Sequence, residues 1–182
     1  MRTMLDLPVP AVRRFTVVRA ERHPGRLDDY AALRLRAFVD EQHLFEADDH
    51  DGHDGAPLTR VLVALSETGH VIGGVRLHPV DVATGWWRGS RLVCSGAGGP
   101  ARGLVGALLV REACAQALDA GAAHFDAHVQ VRYRHFFERL GWDDVRAVQV
   151  ARTEHRHMVW PIPTAGPPAP SSPTPGTEGR TP

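Results

Sequence analysis

The run EADDHDGHDG, Glu46 to Gly55, sets five acids and two histidines into ten residues, a density that suggests calcium, zinc or acid/base chemistry. Asp49, Asp51 and Gly52 imitate the centre of a calcium loop. With Gly52 in the sixth place, however, the first ligand falls on Ala47 and the twelfth on Leu58, so the leading acid and the bidentate acid are both missing. Zinc needs three or four ligands converging from a rigid frame, whereas His50 and His53 lie in a stretch of loop composition. No metal site is expected. The acids are left either to attract a cation by charge, Asp51 and Asp54 foremost, or to cap and solvate a loop.

Two other stretches carry chemical signals. RLVCSGAGGPARGLVGALLVREA reads as strand, glycine-rich loop and helix. Unpaired amides at a helix start, with its positive dipole end, form a seat for phosphate, and Arg102 adds a charged donor there. There is no Gly-Lys-Ser/Thr, and the dinucleotide pattern G-x-G-x-x-G is only loosely approached. The plainer alternative is a turn that starts a core helix. In FDAHVQ, alternation puts Phe125, Ala127 and Val129 on one face and Asp126, His128 and Gln130 on the other. Three polar residues on one face of a central strand imply a cleft or polar partners; on an outer strand they would simply meet solvent.

The elements that must position these residues follow from periodicity. FTVVRA reads as a strand, and RLDDYAALRLRAFVDEQ as a helix with Tyr30, Leu33 and Ala37 at helical spacing and acids in its first turn. RVLVALSE and GHVIGGVRLHPV form a hairpin, and WRGSRLVCSG is a further strand. The helix after the glycine-rich loop runs to about Ala120, with Leu104, Leu108, Ala115 and Leu118 as its stripe. AHFDAHVQ is a strand, YRHFFERLG a short helix closed by Gly141, and VRAVQVART and HRHMVWP a final strand pair. The result is an α/β fold with helices on one mostly antiparallel sheet.

Composition bounds what this fold can do. The 182 residues are 43% hydrophobic, enough for one domain with a core. Residues 1–14 read as a flexible N-terminus, 15–160 as the domain, and 161–182 as a disordered Pro-rich tail. Twenty-one basic residues, all arginine, balance 21 acids and are scattered along the chain, which disfavours nucleic acid. No apolar run reaches signal-peptide length or the ~18 residues of a membrane span, so a soluble cytoplasmic protein with no membrane partner is expected. Cys94 and Cys114 sit in apolar settings that suit buried free thiols.

The loop ARGLVGALL and the segment VQVRYRHFFERLGW resemble the GNAT acetyltransferases over about Phe15 to Trp160. More narrowly, LRLRAFVDEQHLFEADDHDGHD and the later EHRHM resemble the bacterial acetyltransferases associated with nitrogen starvation and nitrilase clusters. The resemblance implies a mixed, mostly antiparallel sheet of six to seven strands with about four helices. It implies acetyl-coenzyme A as co-substrate, with no metal, and direct transfer to the amine of an unidentified small molecule. The cofactor would contact Val93, Cys94, Gln130, Phe136 and Phe137, with its pyrophosphate on the backbone of Arg102, Gly103, Leu104, Val105, Gly106 and Ala107. Amides around Val93 and Cys94 would polarise the thioester. Arg34, Glu41 and Gln42 read as a helix face that anchors the following loop, or, as the resemblance implies, would border the acceptor, and Trp86 and Trp87 would either pack over it or close the core.

This chain departs from the family pattern in ways that bear on the chemistry. Phe137 stands where a tyrosine often protonates the departing thiolate, which leaves Tyr133 or a water as substitute. The strand RLVCSG lacks the glutamate that many relatives use as a base. His128, with an intrinsic pKa of about 6.5, is then the expected base, with Asp126 and Glu41 in reserve; the alternative for His128 is a satisfied core histidine. Two competing functions stay open: an acyl-homoserine lactone synthase-like acyltransferase, which zero net charge disfavours, and a non-catalytic acyl-coenzyme A-binding module. A homodimer is allowed but not specified.

Overall fold

Residues 61–65 of RVLVAL are buried without a break, which happens when a strand is covered on both faces. Val61, Val63 and Leu65 join one apolar cluster with Tyr30 and Phe38, while Leu62 and Ala64 join another with Val105 and Leu109. One strand therefore separates two cores, the arrangement expected of a sheet sandwiched between helices.

The computed structural model describes residues 15–96 and 99–163. The N-terminal segment 1–14, residues 97 and 98 of the glycine-rich run, and the Pro-rich tail from 164 onwards lie outside the described residues. The elements in chain order are β1 (Thr16–Arg19), α1 (Pro24–Arg34), β2 (Arg60–Leu65), β3 (Val71–Asp81), β4 (Trp86–Cys94), α2 (Pro100–Asp119), β5 (His124–Gln130), α3 (Arg134–Arg139), β6 (Asp143–Val150) and β7 (Thr153–Trp160). The seven strands form one sheet in the order β1-β2-β3-β4-β5-β7-β6. Every neighbouring pair is antiparallel except β4 and β5. That pair is joined through α2, as a parallel connection requires. Both α1 and α2 pack on β3 and β4, one on each face.

Two glycines in β3 set how closely the helices approach. A Cβ on Gly73 would stand 2.9 Å from the Val93 carbonyl and 3.2 Å from side chains of α2. One on Gly74 would stand 2.5 Å from the Tyr30 ring of α1. Only hydrogen fits at either place.

Three details correct the sequence expectations. α1 begins at Pro24, so no acid lies in its first turn, and it continues as a π-helical segment, Leu35–Glu41. The buried stripe of α2 is Val105, Leu109, Val110, Ala113 and Ala117. Leu104 is 51% exposed, Leu118 is also exposed, and Ala115 faces outward; the sheet selects the small-residue face because it allows closer approach. Finally, three α-helices are present among the described residues, one fewer than expected.

Candidate active site

β4 and β5 pair only over Trp86–Gly89 and His124–Ala127. Beyond Gly89 and Ala127 the two strands part, and a cavity of about 550 Å³ fills the gap. Its walls come from both sides of the sheet. On the α2 side stand Gly99, Arg102, Gly103, Gly106 and Phe136; on the α1 side stand Phe38, Phe45, Asp51, His53 and Arg76. The cavity therefore passes through the sheet.

A β-bulge shapes the β4 wall. The register with β3 slips between Gly74 and Arg76, and Arg91 adopts a left-handed conformation at φ 55°. Ser90 and Arg91 consequently both face α1: Ser90 Oγ accepts from Arg76 Nε at 3.1 Å, and Arg91 reaches Asp49. The buried Tyr30 hydroxyl donates to the Arg91 carbonyl at 2.7 Å and pins the bulge from α1. Past the bulge, the Ser95 amide bonds to Ile72 O in β3. By alternation the Val93 amide turns the same way, and those of Leu92 and Cys94 turn to the gap. Of the two amides expected to face a thioester, only that of Cys94 is so oriented. The Cys94 thiol, in the cavity wall, is raised by burial to about 11, an effect Arg102 only partly offsets, so it is no thiolate nucleophile at neutral pH.

At the mouth on the α2 side, Gly99 at φ 92° precedes Pro100 as the first helical residue. The Gly103 amide already bonds to Gly99 O at 3.2 Å. The free amides are therefore those of Ala101 and Arg102, while Leu104 to Ala107 bond within the helix. Leu104, Val105 and Ala107 do not line the cavity, contrary to expectation; Val93, Cys94, Arg102, Gly103, Gly106, Gln130, Phe136 and Phe137 do. Among the described residues, nothing beyond its chain neighbours and its own helix backbone lies within 4 Å of where a Gly103 Cβ would be, which leaves room for a ligand backbone or phosphate. Arg102 Nη1 is held by Gly96 O at 3.2 Å.

On the α1 side the acidic run is tied to arginines. Asp49, 2% exposed, accepts from Arg34 Nε at 2.7 Å and Arg91 Nε at 3.0 Å. Asp51 accepts from Arg76 Nη1 and Nη2, both at 2.7 Å, from Arg91 Nη2 at 3.1 Å and from the His53 amide at 2.9 Å. Asp54 accepts from Arg34 Nη1 at 2.7 Å and Nη2 at 3.0 Å, and contacts Arg76 Nη1 at 2.8 Å. Burial pulls the Asp51 carboxyl upward, but Arg76 and the His53 amide outweigh it and hold it at about 2. Asp54 is likewise held well below the usual range, burial being outweighed by Arg34, the Asp51 amide and Arg76 together. The Asp51 and Asp54 charges expected to attract an amine are thus spent on arginines.

The remaining expected site residues fall as follows. Arg34 is buried in this network and does not reach the cavity; Glu41 is exposed outside it, and Gln42 lines it instead. Asp126 is fully buried and accepts from Arg88 Nε at 2.6 Å, Arg88 Nη2 at 2.8 Å, Trp86 Nε1 at 2.9 Å and His157 Nε2 at 3.0 Å. Burial raises its carboxyl, Arg88, Trp86 and His157 together outweigh that, and the net is downward; as a reserve base it is unsuitable. His124, Asp126 and His157 do bring three ligand-type atoms within 4.8 Å of one another, but a divalent ion there would have to displace the Arg88 guanidinium. Trp87 belongs to the core and Trp86 serves Asp126, so neither covers the acceptor. His128 lines the cavity as expected, yet burial and then Arg88 lower it to about 4. Tyr133, partly exposed at the start of α3, also lines it.

Sequence reasoning passed over Arg76, His78, Arg88, Ser90 and Arg91. For four of them the signal was present: Arg76 and His78 in GGVRLHPV, and Arg88 and Ser90 in WRGSR, are polar at alternate positions, the same cue that singled out FDAHVQ, whereas Arg91 shares their face only through the bulge. His78, stacked on His53 with ring centroids 3.7 Å apart, is lowered to about 3 by burial and by its neighbours His53 and Arg76.

No family model and no curated protein sequence matches the chain. Solved structures do. An acyl-CoA N-acyltransferase from Pseudomonas aeruginosa is similar at 22% identity and TM-score 0.66, covering 81% of this chain and 99% of its own. Escherichia coli ElaA is similar at 17% identity and TM-score 0.69, covering 82% of this chain and 100% of its own. A GNAT-family acetyltransferase from Staphylococcus aureus is similar at 9% identity and TM-score 0.62, covering 82% of this chain and 100% of its own. What is shared at these identities is the architecture, and the chain carries the fold of the GNAT acyltransferases.

Proposed function

We propose that this protein is an acyl-coenzyme A-dependent N-acyltransferase that moves an acetyl group to the amine of a small molecule by direct attack. The observation that carries the reading is the cavity passing through the sheet where β4 and β5 part. Its α2 end offers free helix amides and Arg102 to a pyrophosphate. Its α1 end has its own polar walls, so donor and acceptor enter the one cavity from opposite faces.

In this reading the acyl thioester lies along the unpaired edge of β4, where the Cys94 amide polarises its carbonyl. The neutral amine attacks the carbonyl carbon, a C–N bond forms and the C–S bond breaks. The proton lost by the amine ends on the coenzyme A sulfur, by way of Tyr133 or water. Cys94 stays a thiol, consistent with transfer lacking an acyl-enzyme step. His128, with a lone pair free throughout the neutral range, accepts a hydrogen bond from the amine; its lowered pKa makes it a weak base, and water carries the proton onward. A cytoplasmic location is part of this proposal; among the described residues no helix is long and apolar enough to cross a membrane.

Calorimetry with acetyl-coenzyme A tests the donor half, and free-thiol release across an amine panel tests transfer. Arg102→Ala is expected to weaken acetyl-coenzyme A binding about tenfold through loss of one charged hydrogen bond, with the acceptor KM unchanged. Binding without thiol release from any amine would make the protein a coenzyme-binding module, and no binding would end the proposal.

A further inference from the structure

Around the acceptor end, four arginines (34, 76, 88 and 91) meet four aspartates (49, 51, 54 and 126), a formal balance of zero. The balance is layered, however. Asp49, Asp54 and Asp126 do not line the cavity, whereas Arg76, Arg88 and Arg91 do. The one acid among the described residues of the wall, Asp51, already accepts four N–H groups. Arg88 and Arg91 therefore present guanidinium groups inward with the buried Asp126 and Asp49 behind them, whereas Arg76, 1% exposed, is covered by Asp51.

Two of these arginines have donors to spare. Arg88 uses Nε and Nη2 on Asp126, and Arg91 uses Nε and Nη2 on Asp49 and Asp51. The Nη1 of each has no partner among the described residues, and the side chains keep 23% and 17% of their exposure. Both forks are held in place: Arg88 lies over the Trp86 ring at 5.4 Å and Arg91 over the Phe45 ring at 4.9 Å. A fixed guanidinium with a free edge is prepared for a planar anion, because little side-chain entropy remains to be lost. A protonated amine finds no free carboxylate here.

We propose that the acceptor amine also carries a carboxylate, and that this carboxylate docks on the free edges of Arg88 and Arg91. The proposal rests on the acyltransferase reading and names its substrate class: amino acids or other amino-carboxylates. The inward positive charge also lowers the pKa of a bound ammonium, favouring the neutral amine that direct attack requires.

The test compares matched acceptors. With acetyl-coenzyme A bound, thiol release is measured for free amino acids, for their carboxamides and for the decarboxylated amines. The carboxylates are expected to show kcat/KM at least about tenfold above both partners. Arg91→Gln and Arg88→Lys are expected to shrink that preference through the acceptor KM while leaving the KM for acetyl-coenzyme A in place. Amides or simple amines that match the carboxylates would overturn the proposal and leave acyl transfer standing. Independently of turnover, N-acetyl amino acids and N-acetyl amino acid amides are titrated calorimetrically into the protein without coenzyme. Tighter binding of the acids supports the anion site even if acetyl-coenzyme A fails to bind, whereas equal or undetectable binding of both series overturns it.

Discussion

At the scale of single residues, His128 changes meaning between sequence and structure. Its intrinsic pKa invites a role as base, but burial and Arg88 bring it to about 4, and His78 to about 3. The folded state thus binds fewer protons than the unfolded state below about pH 6.5. The stability these two histidines permit is complete above that pH and is lost as pH falls towards 4. Thermal unfolding followed from pH 7 to pH 4 should show a falling Tm, and His128→Gln should flatten part of the fall. The same variant should leave the shape of the pH–rate profile near neutrality unchanged, since His128 does not titrate there; a limb that vanished near pH 6.5 would restore it as base. Asp54 makes a different point. Asp54→Asn leaves the buried Arg34 short of a charge partner, so the expected cost is about 3 kcal/mol of unfolding free energy in urea titration, with the donor KM unaffected.

At the scale of elements, the bulge in β4 and the tyrosine in α1 are one device. Tyr30 lies across Gly74 and donates to the Arg91 carbonyl, so α1 fixes the place where β4 turns Ser90 and Arg91 to the same face. Tyr30→Phe removes that bond from a buried carbonyl and should cost about 1 kcal/mol of stability. If the bulge positions Arg91, it should also raise the acceptor KM more than the KM for acetyl-coenzyme A. Gly74→Ala brings a methyl group against the ring and should be worse, by about 2 kcal/mol or more, read as a lower urea midpoint.

At the scale of the whole molecule, the parting of β4 and β5 converts a closed sheet into a passage with chemically different ends. The α2 end collects free amides and one arginine; the α1 end collects the Arg–Asp network. The sequence by itself determined the strands, the long second helix and the polar face of β5, because periods of 2 and 3.6 follow from backbone geometry and survive in one dimension. It also determined where the glycine-rich turn opens a helix. It misplaced the inner stripe of α2, since periodicity finds an amphipathic face but packing selects which small residues meet the sheet. It left EADDHDGHDG as either a charge that attracts a cation or a capping, solvated loop, since nothing local shows that Arg34, Arg76 and Arg91, distant in sequence, converge on Asp49, Asp51 and Asp54. Only the tertiary structure decided the sign of the acceptor pocket and the lowered pKa of His128, because charge pairing and burial depend on distances between elements that sequence spacing does not encode.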